Sequence, residues 1–139
     1  MDGVYKILIA DDDFSSRTLL QRFLEKYGDV DVTIDGAEAV MAFQTAIDAT
    51  EPYGLICLDI MMPEVDGISA LAHIRNKEKA MGITPENAVT IIMTTSLDPP
   101  LDLIDAFYKG VNRCDDYVTK PIDFQVLSDI LLKYGIHQQ

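Results

Sequence analysis

The chain has 139 residues, 48% of them hydrophobic and 24% charged, with a formal net charge of −12 at pH 7. This length and apolar content predict one globular domain spanning residues 1–139. The acidic charge argues against binding to nucleic acid or an anionic membrane surface, and no apolar run reaches the roughly 18 residues of a membrane span.

The apolar runs alternate between two periodicities along the chain. Short runs rich in branched residues predict strands, and runs with apolar residues three or four positions apart predict helices. The predicted strands cover 4–10, 30–34, 53–59, 88–95 and 116–119. The predicted helices follow them over 14–28, 36–49, 66–80, 101–110 and 123–135. Strict alternation of strand and helix predicts an α/β fold, with a parallel sheet covered by helices on both faces.

The first predicted helix shows a clear helical periodicity. Its apolar residues recur on one face, and Gly28 suits a helix end. The apolar set is Leu19, Leu20, Phe23, Leu24 and Tyr27.

The two cysteines, Cys57 and Cys114, are too few and too far apart for a disulfide framework or a zinc site. We expect both to be buried thiols in a reducing compartment. The N-terminus shows no secretory signal, so the cytoplasm is the expected location.

Polar side chains stand where four of the five predicted strands end. In an open parallel sheet, the functional crevice lies beyond the carboxyl ends of the strands. If these four strands are neighbours, their ends bring together several carboxylates, a hydroxyl and an ammonium group. The ends are Asp11-Asp12-Asp13, Asp59, Thr94-Thr95-Ser96 and Thr119-Lys120-Pro121.

Such a cluster suits the chemistry of phosphoryl transfer. Carboxylates held close together repel one another unless a cation neutralises them, and Mg²⁺ prefers oxygen ligands of this kind. A carboxylate can also attack phosphorus and become an aspartyl phosphate. The charge that develops on the phosphoryl group then needs a cation and hydrogen-bond donors, which Lys120 and Thr95 can supply.

Four segments resemble, in order, the signature segments of response-regulator receiver domains. They are "KILIADDDFSSRTLL", "LICLDIMMPEVDG", "TIIMTTS" and "DDYVTKPI". Each segment alone is weak, but the ordered set is specific and covers essentially the whole chain. The resemblance implies a doubly wound, flavodoxin-like (βα)5 sheet with strand order 2-1-3-4-5. It also implies a single-domain receiver without an output domain.

The resemblance assigns the phosphoacceptor and the metal ligands. Asp59 matches the phosphoacceptor. Asp11 and Asp12 match the acidic pair that holds Mg²⁺, with Asp12 the more direct ligand. Met61 is implied to offer its backbone carbonyl to the metal.

The resemblance also assigns the switch. Lys120 matches the lysine that pairs with the phosphoryl group, and Thr95 matches the switch hydroxyl. Tyr117 matches the aromatic residue that rotates on activation, and Pro121 matches the family's typically cis Lys-Pro bond. The residues implied to meet the water that removes the phosphoryl group are Met61 and Leu97.

The implied partners are proteins of a phosphorelay. A sensor histidine kinase or a histidine phosphotransfer protein would donate the phosphoryl group. An unknown downstream protein would bind the face formed by the predicted helix 101–110, the fifth strand and the last helix. The stretch Asn112-Arg113-Cys114 lengthens the usual turn beside that face, and its role stays open.

Other interpretations stay open at this point. The stretch "ILIADDDFS" also resembles a haloacid-dehalogenase-type phosphohydrolase with Asp11 as nucleophile and Asp13 as acid, but that family expects its lysine before a late acidic pair. A receiver-like scaffold that is not phosphorylated is a further alternative. A flavin carrier shares the implied fold, but no glycine-rich phosphate loop follows the first strand. Asp13 itself is expected to act as a helix cap.

Overall fold

The computed structural model describes residues 5–96 and 113–139, and within them five parallel strands form one sheet. The strands are β1 (Lys6–Ala10), β2 (Asp29–Thr33), β3 (Leu55–Asp59), β4 (Thr90–Ser96) and β5 (Asp116–Lys120). Their spatial order is β2-β1-β3-β4-β5, which confirms the predicted topology. The carboxyl ends of β1, β3, β4 and β5 therefore lie side by side at one edge of the sheet.

Helices cover both faces of this sheet. They are α1 (Phe14–Leu24), α2 (Gly36–Asp48), α3 (Gly67–Ala80) and α4 (Phe124–Lys133), and a short 3₁₀ turn covers Pro85–Asn87. Phe43 of α2 and Leu71 of α3 belong to one buried cluster, and Leu20 of α1 and Leu127 of α4 belong to the other. The two clusters confirm the doubly wound arrangement. The predicted helix 101–110 lies outside the described residues.

An aspartate caps each of these four helices. The side chain of Asp13 accepts a hydrogen bond from Ser16 N, as predicted for the start of α1. Asp35, Asp66 and Asp123 do the same for α2, α3 and α4. Part of the acidic charge is thus explained by capping, because a carboxylate satisfies the open N–H groups at a helix start.

The first helix differs from its prediction in length and in one facing residue. It ends at Leu24 rather than near Gly28, and Leu19 is 56% exposed although Leu20 beside it is buried. A Cβ at position 28 would lie 2.1 Å from the main-chain oxygen of Tyr5. Gly28 is therefore needed for the close approach of the chain to the start of β1 rather than for ending the helix.

A buried ion pair lies at the opposite end of the sheet from the acidic residues. The Nη1 atom of Arg75 is 2.8 Å from Oε1 of Glu78, and its Nη2 atom is 3.1 Å from Oδ2 of Asp115. Arg75 also donates to the main-chain oxygens of Val89 and Arg113. These bonds tie α3 to the segment that leads into β5.

Candidate functional site

Lys120 joins two buried carboxylates at the carboxyl edge of the sheet. Its Nζ atom donates to Oδ2 of Asp11 at 2.9 Å and to Oδ2 of Asp59 at 3.0 Å. Asp11 follows β1, Asp59 ends β3 and Lys120 ends β5, so three strands build this contact. Asp11 and Asp59 are 1% and 4% exposed. Burying two carboxylates costs free energy unless a cation lies beside them. The ammonium group of Lys120 is that cation.

The turn that carries Asp11 and Asp12 is fixed by several hydrogen bonds. Asp11 N donates to the main-chain oxygen of Thr33 in the neighbouring strand. Oδ1 of Asp11 accepts from Asp13 N at 2.9 Å, and the main-chain oxygen of Asp11 accepts from Nη1 of Arg17 at 2.9 Å. Asp12 is exposed, and it lies on the same turn as the buried Asp11.

The sharp turn after Asp59 depends on a glycine. Gly67 N donates to the main-chain oxygen of Ile60, which brings the start of α3 back against the end of β3. A Cβ at position 67 would lie 2.1 Å from the main-chain oxygen of Asp59. The Asp66-Gly67 pair thus has two structural roles, since Asp66 caps the helix and Gly67 permits the close approach.

Burial and charge act in opposite directions on the two central groups. Burial raises the pKa of Asp59 to about 6, Lys120 opposes this rise, and the Asp11 carboxylate adds to it. Burial works to lower the pKa of Lys120, but its hydrogen bonds to Asp11 and Asp59 raise that pKa above the ordinary value. Lys120 is therefore an ammonium group at neutral pH, and Asp59 is mainly a carboxylate there.

The acidic residues fit a small divalent cation. Carboxylate oxygens of Asp11, Asp12 and Asp59 lie within 4.8 Å of one another. An octahedral Mg²⁺ ion holds oxygen ligands at about 2.1 Å, which places two of them between about 3 and 4.2 Å apart. The donor type and the spacing both agree with such an ion. Met61 N donates to Oδ1 of Asp59 at 3.3 Å, and the Met61 side chain is 67% exposed at this edge.

One predicted switch residue lies on β4, which pairs with the strand of Asp59, and the other lies on β5, one strand farther along the sheet. Thr95 in β4 is buried, and its hydroxyl is 3.5 Å from the main-chain oxygen of Ser96. Tyr117 in β5 is partly buried against the core on the side of α2 and α3. The Lys120–Pro121 peptide bond is cis, as the resemblance implies. Leu97 lies outside the described residues.

A model of the response regulator receiver domain family matches residues 7–132. The chain belongs to this family. Receiver domains are signalling phosphoacceptors rather than conventional enzymes, and they generally bind Mg²⁺ at an acidic pocket. Membership favours the receiver interpretation over the phosphohydrolase and flavin-carrier alternatives. The three carboxylates at the sheet edge, with the lysine beside them, agree with this interpretation.

Curated relatives of this receiver domain differ widely in length. It is 31% identical over 131 residues to the two-component response regulator ORR41 of Oryza sativa, covering 94% of each chain. It is 38% identical over 117 residues to the transcriptional regulatory protein PhoP of Bacillus subtilis, covering 84% of this chain but 42% of that protein. It is 32% identical to the hybrid signal transduction histidine kinase L of Dictyostelium discoideum and spans only 7% of it.

Solved receiver structures share the fold. The receiver domain of the Saccharomyces cerevisiae response regulator Ssk1, solved with the histidine phosphotransfer protein Ypd1, has a TM-score of 0.75 and 29% identity. That match covers 94% of this chain and 88% of the other. A CheX–CheY–BeF₃–Mg²⁺ complex from Borrelia burgdorferi has a TM-score of 0.71 and 27% identity, covering 94% and 89%. In residues 5–96 and 113–139 of this receiver domain, no helix has the length and apolar character needed to span a membrane.

Two contacts of the site were not predicted from the sequence. They are the close approach of Gly67 to the Asp59 oxygen and the hydrogen bond from Arg17 to the Asp11 oxygen. The sequence holds a signal for the first contact, because the Asp66-Gly67 pair closes the second segment that resembles the receiver signature. Nothing in the sequence pattern indicates that Arg17 turns back to the end of β1.

Proposed function

We propose that this receiver domain is a phosphorylation switch of a two-component system, with Asp59 as the phosphoacceptor. The observation that carries the proposal is the contact of Lys120 with both Asp59 and Asp11, at an edge where a third carboxylate, Asp12, lies within 4.8 Å. This arrangement combines a nucleophile, a fixed cation and a set of metal ligands.

The chemistry is a transfer of one phosphoryl group to Asp59. A carboxylate oxygen of Asp59 forms a bond to phosphorus, and the phosphorus–nitrogen bond of a phosphohistidine breaks. The electron pair of that bond stays with the imidazole, and the product is an aspartyl phosphate. Lys120 keeps its positive charge beside Asp59 and stabilises the negative charge on the transferred oxygens.

Mg²⁺ would be held by Asp11, Asp12 and Asp59, with the backbone carbonyl of Met61 as a further proposed ligand. When bound, the ion neutralises the negative charge that the phosphoryl oxygens bring to an acidic edge. The protein's part is to keep the three carboxylates together, and the Lys120 contacts and the bonded turn at Asp11 do so.

The switch would use Thr95 and Tyr117. A phosphoryl group adds charge and acceptor oxygens at Asp59, so the Thr95 hydroxyl would exchange its long contact with Ser96 for a bond to phosphate. Tyr117 would then take a more buried position, which shifts a two-state element. Beryllofluoride with Mg²⁺ should change the aromatic NMR resonances of Tyr117 in the wild type and not in Thr95→Ala. Unchanged Tyr117 resonances in the wild type would contradict this step.

The proposed phosphodonor is a sensor histidine kinase or a histidine phosphotransfer protein. The similarity to a receiver solved with a phosphotransfer protein supports this class of partner. The downstream protein would bind the face of β5 and α4 together with the predicted helix 101–110.

In the proposed function, residues 1–139 form one receiver domain. The two free cysteines are buried, which supports a reducing compartment such as the cytoplasm.

Incubation with acetyl phosphate and Mg²⁺, read by intact mass, tests the proposal. Here the phosphorus–oxygen bond of the donor breaks and acetate leaves. The wild type should gain one phosphoryl group, and Asp59→Asn should gain none. Asp13→Asn is the matched control, because Asp13 is an exposed helix cap, and it should still be labelled. Equal labelling of Asp59→Asn, or labelling unchanged in excess EDTA, would refute the proposal.

A further inference from the structure

Arg17 makes a hydrogen bond that does not belong to the helix in which it lies. It is the fourth residue of α1, and its Nη1 atom reaches back six residues to the main-chain oxygen of Asp11 at 2.9 Å. Its guanidinium carbon lies 5.5 Å from the centre of the Phe14 ring. The guanidinium is thus held between an aromatic ring and the end of β1, and its bond to the carbonyl is charge-assisted.

The carbonyl that Arg17 binds lies in the peptide between the first two acidic residues. A peptide unit is planar, so holding the oxygen of Asp11 fixes the plane that links Asp11 to Asp12. That plane sets the direction in which the chain enters Asp12, the exposed member of the carboxylate cluster. Asp11 already has its own restraints from Thr33, Asp13 and Lys120.

We propose that Arg17 is a positioning residue for the cation site. By holding the Asp11–Asp12 peptide, it turns the Asp12 carboxylate toward Asp11 and Asp59. This inference rests on the proposed function, in which those three carboxylates bind Mg²⁺. Arg17 does not touch the metal or the phosphoryl group.

The direction in which Mg²⁺ affinity changes when Arg17 is replaced distinguishes a positioning role from an effect of its charge alone. Arg17 is a cation near a cation site, so removing its charge alone would strengthen Mg²⁺ binding. Removing the hydrogen bond to the Asp11 oxygen would loosen the turn and weaken Mg²⁺ binding. The two explanations therefore predict opposite changes in affinity.

The test measures Mg²⁺ affinity by isothermal titration calorimetry, without any phosphodonor. Arg17→Met should bind Mg²⁺ about tenfold more weakly than the wild type, the scale of one charge-assisted hydrogen bond. Arg22→Met removes the same charge from an exposed position in the last turn of α1, so its affinity should stay within about twofold of the wild type. Arg17→Lys keeps the charge but loses the planar donor, and about threefold weaker binding is expected.

Kinetics give a second measurement that a general structural defect would not reproduce. Arg17→Met should need more Mg²⁺ for labelling by acetyl phosphate, yet at saturating Mg²⁺ its rate should return to within about twofold of the wild type.

Two results would overturn the inference while leaving the proposed function intact. One is Arg17→Met binding Mg²⁺ as tightly as the wild type or more tightly. The other concerns the case in which circular dichroism shows that Arg17→Met is unfolded. Arg17→Lys is then measured in its place, and a Mg²⁺ affinity of Arg17→Lys equal to that of the wild type refutes the positioning role. A wild type that binds no Mg²⁺ would instead refute the metal part of the proposed function, and this inference with it.

Discussion

Replacing Arg75 by methionine should destabilise the fold strongly, although Arg75 lies far from the proposed phosphorylation site. The side chain of Arg75 is 10% exposed, and that of its partner Glu78 is 5% exposed. Methionine fills a similar volume but offers no donor. The substitution therefore leaves Glu78 buried without its cation and removes the link from α3 to Asp115.

The magnitude follows from the contacts. Breaking a buried ion pair by removing one partner costs about 3–5 kcal/mol. Two features place this case at the lower end. Oε2 of Glu78 keeps its hydrogen bond from Val89 N, and the Asp115 side chain is 36% exposed and can be solvated. We expect the free energy of unfolding to fall by about 3 kcal/mol, which corresponds to a Tm lower by about 10 °C.

Urea denaturation followed by circular dichroism measures this change. Arg22→Met, the same substitution at an exposed position of α1, is the control and should stay within about 0.5 kcal/mol of the wild type. The double variant Arg75→Met with Glu78→Met removes the unpaired charge as well, so it should be more stable than Arg75→Met alone. Two results would refute the reasoning. One is a double variant whose loss in the free energy of unfolding equals the sum of the losses in Arg75→Met and Glu78→Met. The other is a loss below about 1 kcal/mol in Arg75→Met.

Three further predictions concern single positions. Gly67→Ala should lower the free energy of unfolding by about 1–3 kcal/mol, because the added Cβ meets the Asp59 oxygen, and wild-type stability would contradict this. Met61→Asn with Leu97→Glu should shorten the phosphoryl lifetime by about tenfold or more, about 1.4 kcal/mol, since polar groups can orient water; a double variant that decays no faster would exclude this role. Burial raises the pKa of Cys57 and of Cys114 from 9.0 to about 12, so the free energy of unfolding should fall as pH rises from 9 towards 12; Cys57→Ala should reduce that slope, and an unchanged slope would contradict this.

Most of the fold could be predicted because the two periodicities are strong. Continuous apolar runs such as Leu55–Asp59 read as buried strands, and their alternation with helical runs leaves few topologies. The errors lie where a residue's role depends on a distant neighbour. Gly28 suggested a helix end, yet it is needed against Tyr5, and Leu19 fits the helical period but faces outward.

The residues of the candidate site that lie at strand ends could be predicted from the sequence. Asp11, Asp59 and Lys120 each end or follow a strand, so the sheet alone brings them together. Contacts that depend on the path of a side chain were not predictable. Arg17 reaches six residues back, and the partner of Arg75, Asp115, lies 40 positions further along the chain. The roles assigned to Thr95 and Tyr117 stay predictions.

The most direct measurement of the central claim is the location of the phosphoryl group itself. The protein is labelled with acetyl phosphate and Mg²⁺, reduced with borohydride, which converts an aspartyl phosphate to homoserine, and digested for tandem mass spectrometry. The proposed function predicts homoserine at position 59, with Asp11, Asp12 and Asp13 unchanged. Homoserine at position 11 would instead indicate the phosphohydrolase chemistry, and the absence of homoserine from every aspartate position would contradict the phosphoacceptor proposal outright.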